Sequence, residues 1–354
     1  MNASLNKKNN IDQRAKGAKS KASLPPEGIA YLSDGTPLDQ SSFQSWKRLK
    51  IAERIQHNSK HLRHSVRKWH ELLGAPVLPS ELYHYYCVFM HIPKAGGTTL
   101  QHIIAKNYLP NQFIHANSNQ INKNPAYLYH VKRREVRPIV MGHFDRSCIL
   151  YQLLCDRPII HFTMFREPIK RVLSHYRYLR GNLVHGKHQE VKEMSLEEYA
   201  SSSIREVLNK QTLRILGDYS HAAQMQSLND PDPLFREAKQ VLEHEFSLFG
   251  ITEQYNQFLL MAKEVLRWED IVYRRRNISS TQVQSDENVE LNEAYRKGIK
   301  IIHERNQLDM KLYDFARQLF DNRYRELDLD SYAEEKYGQI NQRYQMMISE
   351  LDAI

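Results

Sequence analysis

This 354-residue sequence predicts a P-loop-like, three-layer α/β fold: a central parallel sheet flanked by helices, with a helical C-terminal part. Three observations predict it. Cys87–Met90 is an apolar run of the kind that fills a strand buried on both faces, and Pro158–Phe165 and Phe246–Thr252 read as further strands, the last short and buried. Helical patterns separate them, which calls for crossover connections and parallel pairing. The first strand then runs into Lys94-Ala-Gly-Gly-Thr-Thr99, a glycine-bearing turn that opens a helix.

In chain order, residues 1–40 are rich in Asn, Lys and Ser and read as a disordered basic extension. Residues 41–75 carry a helical apolar pattern from Phe43 to Leu72, studded with basic residues. His57, His61 and His64 share one face of that pattern, which reads as a solvated basic face rather than a metal site. After the first strand a helix is expected over Gly97–Tyr108, then an irregular polar segment from Pro110 to Pro125. Arg137–Gly142 fits a further short strand, followed by His143 and a helix around Ser147–Leu154. The strand ending at Phe165 passes through Arg166-Glu-Pro168 into a helix over Ile169–Arg180, since Pro is tolerated in a first helical turn. Residues 181–193 are polar and His-rich and read as a loop over the site, with His175, His185 and His188 solvated. Helices are expected over Ser195–Leu208, Asp232–Phe246, Tyr255–Leu266 and, as one long pattern, Glu287–Phe320; residues 326–354 read as a helical tail.

The turn at 94–99 has the chemistry of a phosphate cradle. Free N–H groups and the helix dipole favour an anion, glycines admit it closely, Lys94 adds charge, and Thr98 and Thr99 add hydroxyl donors. It departs from the Walker pattern, whose Lys follows the second Gly and precedes the Mg²⁺-binding hydroxyl. Here Lys94 precedes Gly96 and Gly97. That argues against an ATPase or kinase and towards an anion whose charge is handled without a bound metal.

Composition sets wider bounds. The net charge of +9 sits almost wholly in residues 1–75, with 14 Lys/Arg against 6 Asp/Glu, so it is no evidence for a polyanionic partner of the α/β body. No nucleic-acid partner is expected. Cys87, Cys148 and Cys155 give neither a metal spacing nor an even disulfide set, as in a reducing compartment. No apolar run approaches the roughly 18 residues that span a bilayer, and Met1–Lys8 lacks a secretory apolar region. The expectation is a cytoplasmic protein.

A second anion site is written at the end of the strand that closes on Phe165. Arg166 stands there, and Ser174 follows eight residues later on a helix that also carries Lys170, Arg171, Arg177 and Arg180. Two phosphate sites off neighbouring strands suit a nucleotide phosphorylated at both ends. The two stretches, His91–Leu100 and Phe165–Tyr176, resemble the 5′-phosphosulfate loop and the 3′-phosphate motif of the sulfotransferases. The resemblance covers about residues 85–320 and leans to the carbohydrate branch related to heparan sulfate uronyl 2-O-sulfotransferase. Weaker similarities lie at Gly142-His143, Asn209–Thr212, Phe249–Glu253 and Asp309–Tyr313.

The resemblance implies a sulfotransferase domain over residues 80–325 that moves SO₃ from 3′-phosphoadenosine 5′-phosphosulfate (PAPS) to a hydroxyl of a saccharide or glycolipid. Lys94 would hold the bridging and 5′-phosphate oxygens. Ala95, Gly96, Gly97, Thr98 and Thr99 would line the 5′-phosphate, and Arg166 and Ser174 would clamp the 3′-phosphate. His143 matches the family's catalytic histidine, a base able to titrate near neutral pH, with Asp145 as the candidate to orient it. No metal is expected. A small-molecule kinase and a non-catalytic anion-binding module are the alternatives. Arg296-Lys-Gly298, a string similar to one in aryl sulfotransferases, reads as chance, and Arg274–Asn277 as a candidate for further 3′-phosphate or acceptor contacts.

Overall fold

The structure is a computed structural model that describes residues 84–108, 113–123, 139–155, 157–274, 293–329 and 331–353. The expectations for residues 1–75 and for Arg275–Asn277 lie outside the described residues. Five parallel strands form one sheet: β1 (Tyr86–Met90), β2 (Phe113–Asn117), β3 (Ile139–His143), β4 (Ile159–Phe165) and β5 (Leu248–Ile251), in the order β2-β3-β1-β4-β5. β1 lies between β3 and β4, with Val88 opposite both Val140 and His161. All five residues of β1 are buried, because helices cover both faces of a parallel sheet and leave its central strand no polar side. Chain order reverses direction about β1, so the crevice at the carboxyl ends of β1, β3 and β4 is where a ligand is expected.

The helices, in order, are α1 (Gly97–Asn107), α2 (Ser118–Lys123), α3 (Leu150–Leu153), α4 (Pro168–Gly181), α5 (His188–Val191), α6 (Leu196–Ser201), α7 (Lys210–Leu216), α8 (His221–Asn229), α9 (Pro231–His244), α10 (Tyr255–Leu266), α11 (Glu293–Arg305), α12 (Gln307–Glu326) and α13 (Ser331–Ala353). Among the described residues no helix is long and apolar enough to cross a membrane.

Two apolar clusters organise the packing. The larger surrounds the sheet and includes Phe89, Phe162, Phe249, Trp268 and Phe320. The smaller joins α4, α6 and α11 through Val172, Tyr176, Tyr199 and Ile302. Gly298 lets α11 close on α6, since a Cβ there would stand 2.6 Å from the Leu196 side chain. The Arg296-Lys-Gly298 string, read as chance, lies within α11, where Gly298 serves helix packing.

Three expectations need correction. Residues 113–117, read as irregular, form the edge strand β2, whose His115 is exposed. The helix expected over 195–208 stops at Ser201, because the Arg305 guanidinium takes the carbonyls of Ala200 and Ser202 (2.5 and 2.9 Å). The long C-terminal helix breaks at Asn306, whose side chain bonds the carbonyl of Val207 and the amide of Asn209 instead.

Candidate functional site

β1 ends at Met90, and the His91 amide still donates to the Gly142 carbonyl (2.8 Å). The chain then turns through two left-handed residues, Lys94 (φ 68°) and Gly96 (φ 79°), and starts α1 at Gly97. No side chain caps that helix and its first turn holds no acid, so its leading amides are free for an anion. Gly97 is required by close approach: a Cβ there would sit 2.1 Å from the His91 ring. Thr99 is buried and Thr98 half-buried beside it, and Ala95 is buried under the turn.

Arg166 lies just past the end of β4, the strand next to β1. Its Nη1 donates to the Lys94 carbonyl at 3.1 Å, so the two motifs meet directly. The Lys94 ammonium rests 4.1 Å over the Tyr178 ring on α4. Burial, and then the neighbouring Arg166, pull its pKa down to about 8. Glu167 caps α4 by accepting from the amides of Ile169 and Lys170, and Ser174 stands half-buried two turns along that helix.

His143 ends β3, on the other side of β1. Its ring stacks on His91 with centroids 4.3 Å apart. Its Nδ1 lies 3.3 Å from the His91 carbonyl oxygen. A carbonyl only accepts, so Nδ1 carries the proton and Nε2 keeps a bare lone pair. Burial, reinforced by Arg214, holds the pKa at about 4, well below the neutral value expected from sequence. Asp145 does not orient the imidazole; its carboxylate accepts from the Ser147 hydroxyl at 2.7 Å. The His91 main chain takes that role. His161 packs in the core, with Nε2 2.7 Å from the Tyr151 hydroxyl.

His175 and His188 are not solvated. Both are buried, His175 bonded to the Tyr199 hydroxyl (2.6 Å) and His188 to the Leu179 carbonyl (2.9 Å). Sequence reasoning also missed a charged group that α7 brings up beside His143. Arg214 donates to the Phe144 carbonyl (2.7 Å). Glu206 pairs with Lys210 (3.0 Å) and Arg171 (3.7 Å). Burial alone would raise the Glu206 pKa, but Lys210 and Arg171 draw it down to about 2. The only sequence signal for this group was the weak similarity at Asn209–Thr212. Among the described residues no cluster of His, Cys, Asp and Glu has metal-binding geometry.

Comparison with known proteins places this geometry. A family described as the sulfotransferase family matches residues 82–316. Human heparan-sulfate 6-O-sulfotransferase 3 is 25% identical over 281 residues, covering 67% of this chain and 58% of the relative. Human heparan-sulfate 6-O-sulfotransferase 1 is 25% identical over 67% of this chain and 66% of its own length. Chicken heparan-sulfate 6-O-sulfotransferase 2 is 23% identical over 72% of each. The match thus spans little more than half the length of the first of these relatives. They carry the 6-O name where the motifs leaned to the 2-O branch, a difference of detail within the carbohydrate type. The family match covers most of the chain and both anion motifs: the chain belongs to the sulfotransferase family.

Proposed function

We propose that this protein transfers the sulfuryl group of PAPS to a hydroxyl of a saccharide. One observation carries the reading: Arg166 reaches the Lys94 carbonyl at 3.1 Å, which sets two motif cations at the ends of adjacent strands. Family membership supports PAPS as the donor. The relatives' names, all heparan-sulfate sulfotransferases, support a saccharide acceptor.

The free amides of α1 and the hydroxyls of Thr98 and Thr99 hold the 5′-phosphate, with Ala95 and Gly96 shaping the turn. Arg166 and Ser174 hold the 3′-phosphate, the arginine by a charge-assisted fork. The acceptor oxygen bonds to sulfur as the bond from sulfur to the bridging oxygen breaks, and the electron pair leaves on the 5′-phosphate. Lys94 leaves the Tyr178 face to neutralise that charge. The acceptor proton goes to His143 Nε2, which the tautomer fixed by His91 leaves ready to receive it.

The test is transfer of labelled sulfate from PAPS to a panel of heparan-type and neutral saccharides. Label in the saccharide fraction supports the reading. Label that stays on the nucleotide, or is released only as inorganic sulfate, refutes it.

A further inference from the structure

We propose that Gln211 is the positioning residue for Arg166, and that α7 is the brace that sets the 3′-phosphate clamp relative to His143. This rests on the reading of Arg166 as a 3′-phosphate ligand. Arg166 lies one residue beyond β4, where the ladder with β5 ends at the pair Phe165–Ile251. The Gln211 side chain replaces the missing strand: the Arg166 amide donates to Oε1 (2.9 Å) and Nε2 donates to the Arg166 carbonyl (2.8 Å). Only one orientation of the side-chain amide makes both bonds. The next residue is held as well, with the Glu167 amide donating to Glu253 (3.2 Å). The Arg166 main chain therefore has little freedom to pivot, and its guanidinium is aimed from a fixed base.

Gln211 is itself held from the far side. It is 1% exposed, and its main-chain amide donates to Asp309 Oδ2 (3.0 Å). Asp309 Oδ1 takes the Thr212 amide and hydroxyl, both at 2.8 Å. The Asp309 amide donates to Asn209 Oδ1 (3.0 Å), and the Asn209 amide to Asn306 Oδ1 (3.0 Å). A buried carboxylate of α12 thus caps the first turn of a seven-residue helix too short to hold its shape alone. One turn on from Gln211, Arg214 of the same helix donates to the carbonyl of Phe144, the residue after His143. A rigid α7 then spans the two motifs: one end fixes the strand end that carries Arg166, the other the strand end that carries the base.

A side chain that merely fills space at 211 would act equally on all nucleotides; one that aims Arg166 acts through the 3′-phosphate. The experiment titrates full-length Gln211→Leu with adenosine 3′,5′-bisphosphate and with adenosine 5′-phosphate. The bisphosphate should bind about tenfold more weakly and the monophosphate as in the unaltered protein, the size expected for losing two buried hydrogen bonds behind a ligand cation. Arg166→Ala should abolish the preference for the bisphosphate, and adding Gln211→Leu to it should cost nothing further. If Arg166→Ala abolishes the preference and Gln211→Leu leaves it intact, Gln211 has no such role and the reading of Arg166 stands. If Arg166→Ala keeps the preference, the reading of Arg166 falls and the proposal with it. Should Gln211→Leu not fold, Gln211→Glu keeps the size and the acceptor but loses the donor, and it must lower the same preference.

Discussion

Nucleotide binding should be coupled to a proton on Lys94. In the free protein burial and Arg166 hold this ammonium at a pKa of about 8, resting on the Tyr178 ring. A bound phosphate beside it favours the charged form and returns the pKa towards or above an ordinary lysine's, roughly 10.4. Lowered in the free state and raised in the complex, the group binds a proton on complexation wherever pH exceeds about 8. At pH 9 only about one free molecule in ten carries that proton, so adenosine 3′,5′-bisphosphate should bind about tenfold more weakly than at pH 7. Phosphate ionisation contributes little, because its second pKa, roughly 6, is already passed. Calorimetry at the two pH values, in buffers of different ionisation enthalpy, reads both the affinity and the proton taken up. Lys94→Met should bind more weakly at both pH values and show no such dependence. A flat affinity from pH 7 to 9, or the same dependence in Lys94→Met, would refute the assigned contact.

His143→Ala should lower sulfate transfer by about 10²–10⁴-fold while bisphosphate affinity stays unchanged; retained turnover would remove His143 as the base. Because burial depresses the His143 pKa to about 4, the imidazole is neutral above that pH. The acid limb of kcat/KM for the acceptor should accordingly fall near pH 4 to 5, and a limb near 6.5 would contradict the buried, stacked ring. Gly97→Ala drives a methyl into a His91 ring already stacked on Phe89 and His143. It should lower stability by about 1–3 kcal/mol in urea unfolding and reduce transfer as well. Asp309→Ala strands two amides and a hydroxyl of α7 and should cost about 3 kcal/mol by the same method; a loss under about 0.5 kcal/mol would deny it the capping role.

What could be read from sequence follows from where each element gets its stability. β1 was legible because a strand buried on both faces must be continuously apolar, and β4 because it is dominated by Ile, Phe and Met around His161 and Thr163. β2 was not: Phe113-Ile-His-Ala-Asn117 is an edge strand with an exposed His115, and its pattern competes with the polar stretch around it. α7 was nearly invisible for a different reason. It starts from Asn209 in the left-handed region (φ 39°) and is held by Asp309 and Asn306, nearly a hundred residues away, so its only local mark was the weak similarity at Asn209–Thr212. The same division runs through the site. Lys94, Gly96, Gly97, Arg166 and His143 sit on the two motifs or a strand end, where the resemblance to the sulfotransferases singled them out. Gln211 and Arg214 act on main-chain atoms of distant residues, and the carbonyl that orients His143 belongs to His91, where a side chain, Asp145, was the natural candidate.

On this reading the crevice holds a nucleotide by phosphates at both its 5′ and 3′ positions. The most direct measurement is calorimetric titration of the full chain with adenosine 3′,5′-bisphosphate and with ATP, each with and without Mg²⁺. The arrangement of Lys94, α1 and Arg166 predicts tight binding of the bisphosphate that is indifferent to Mg²⁺, and weak binding of ATP. Preference for ATP that depends on Mg²⁺ would contradict it and return the cradle to the kinase reading.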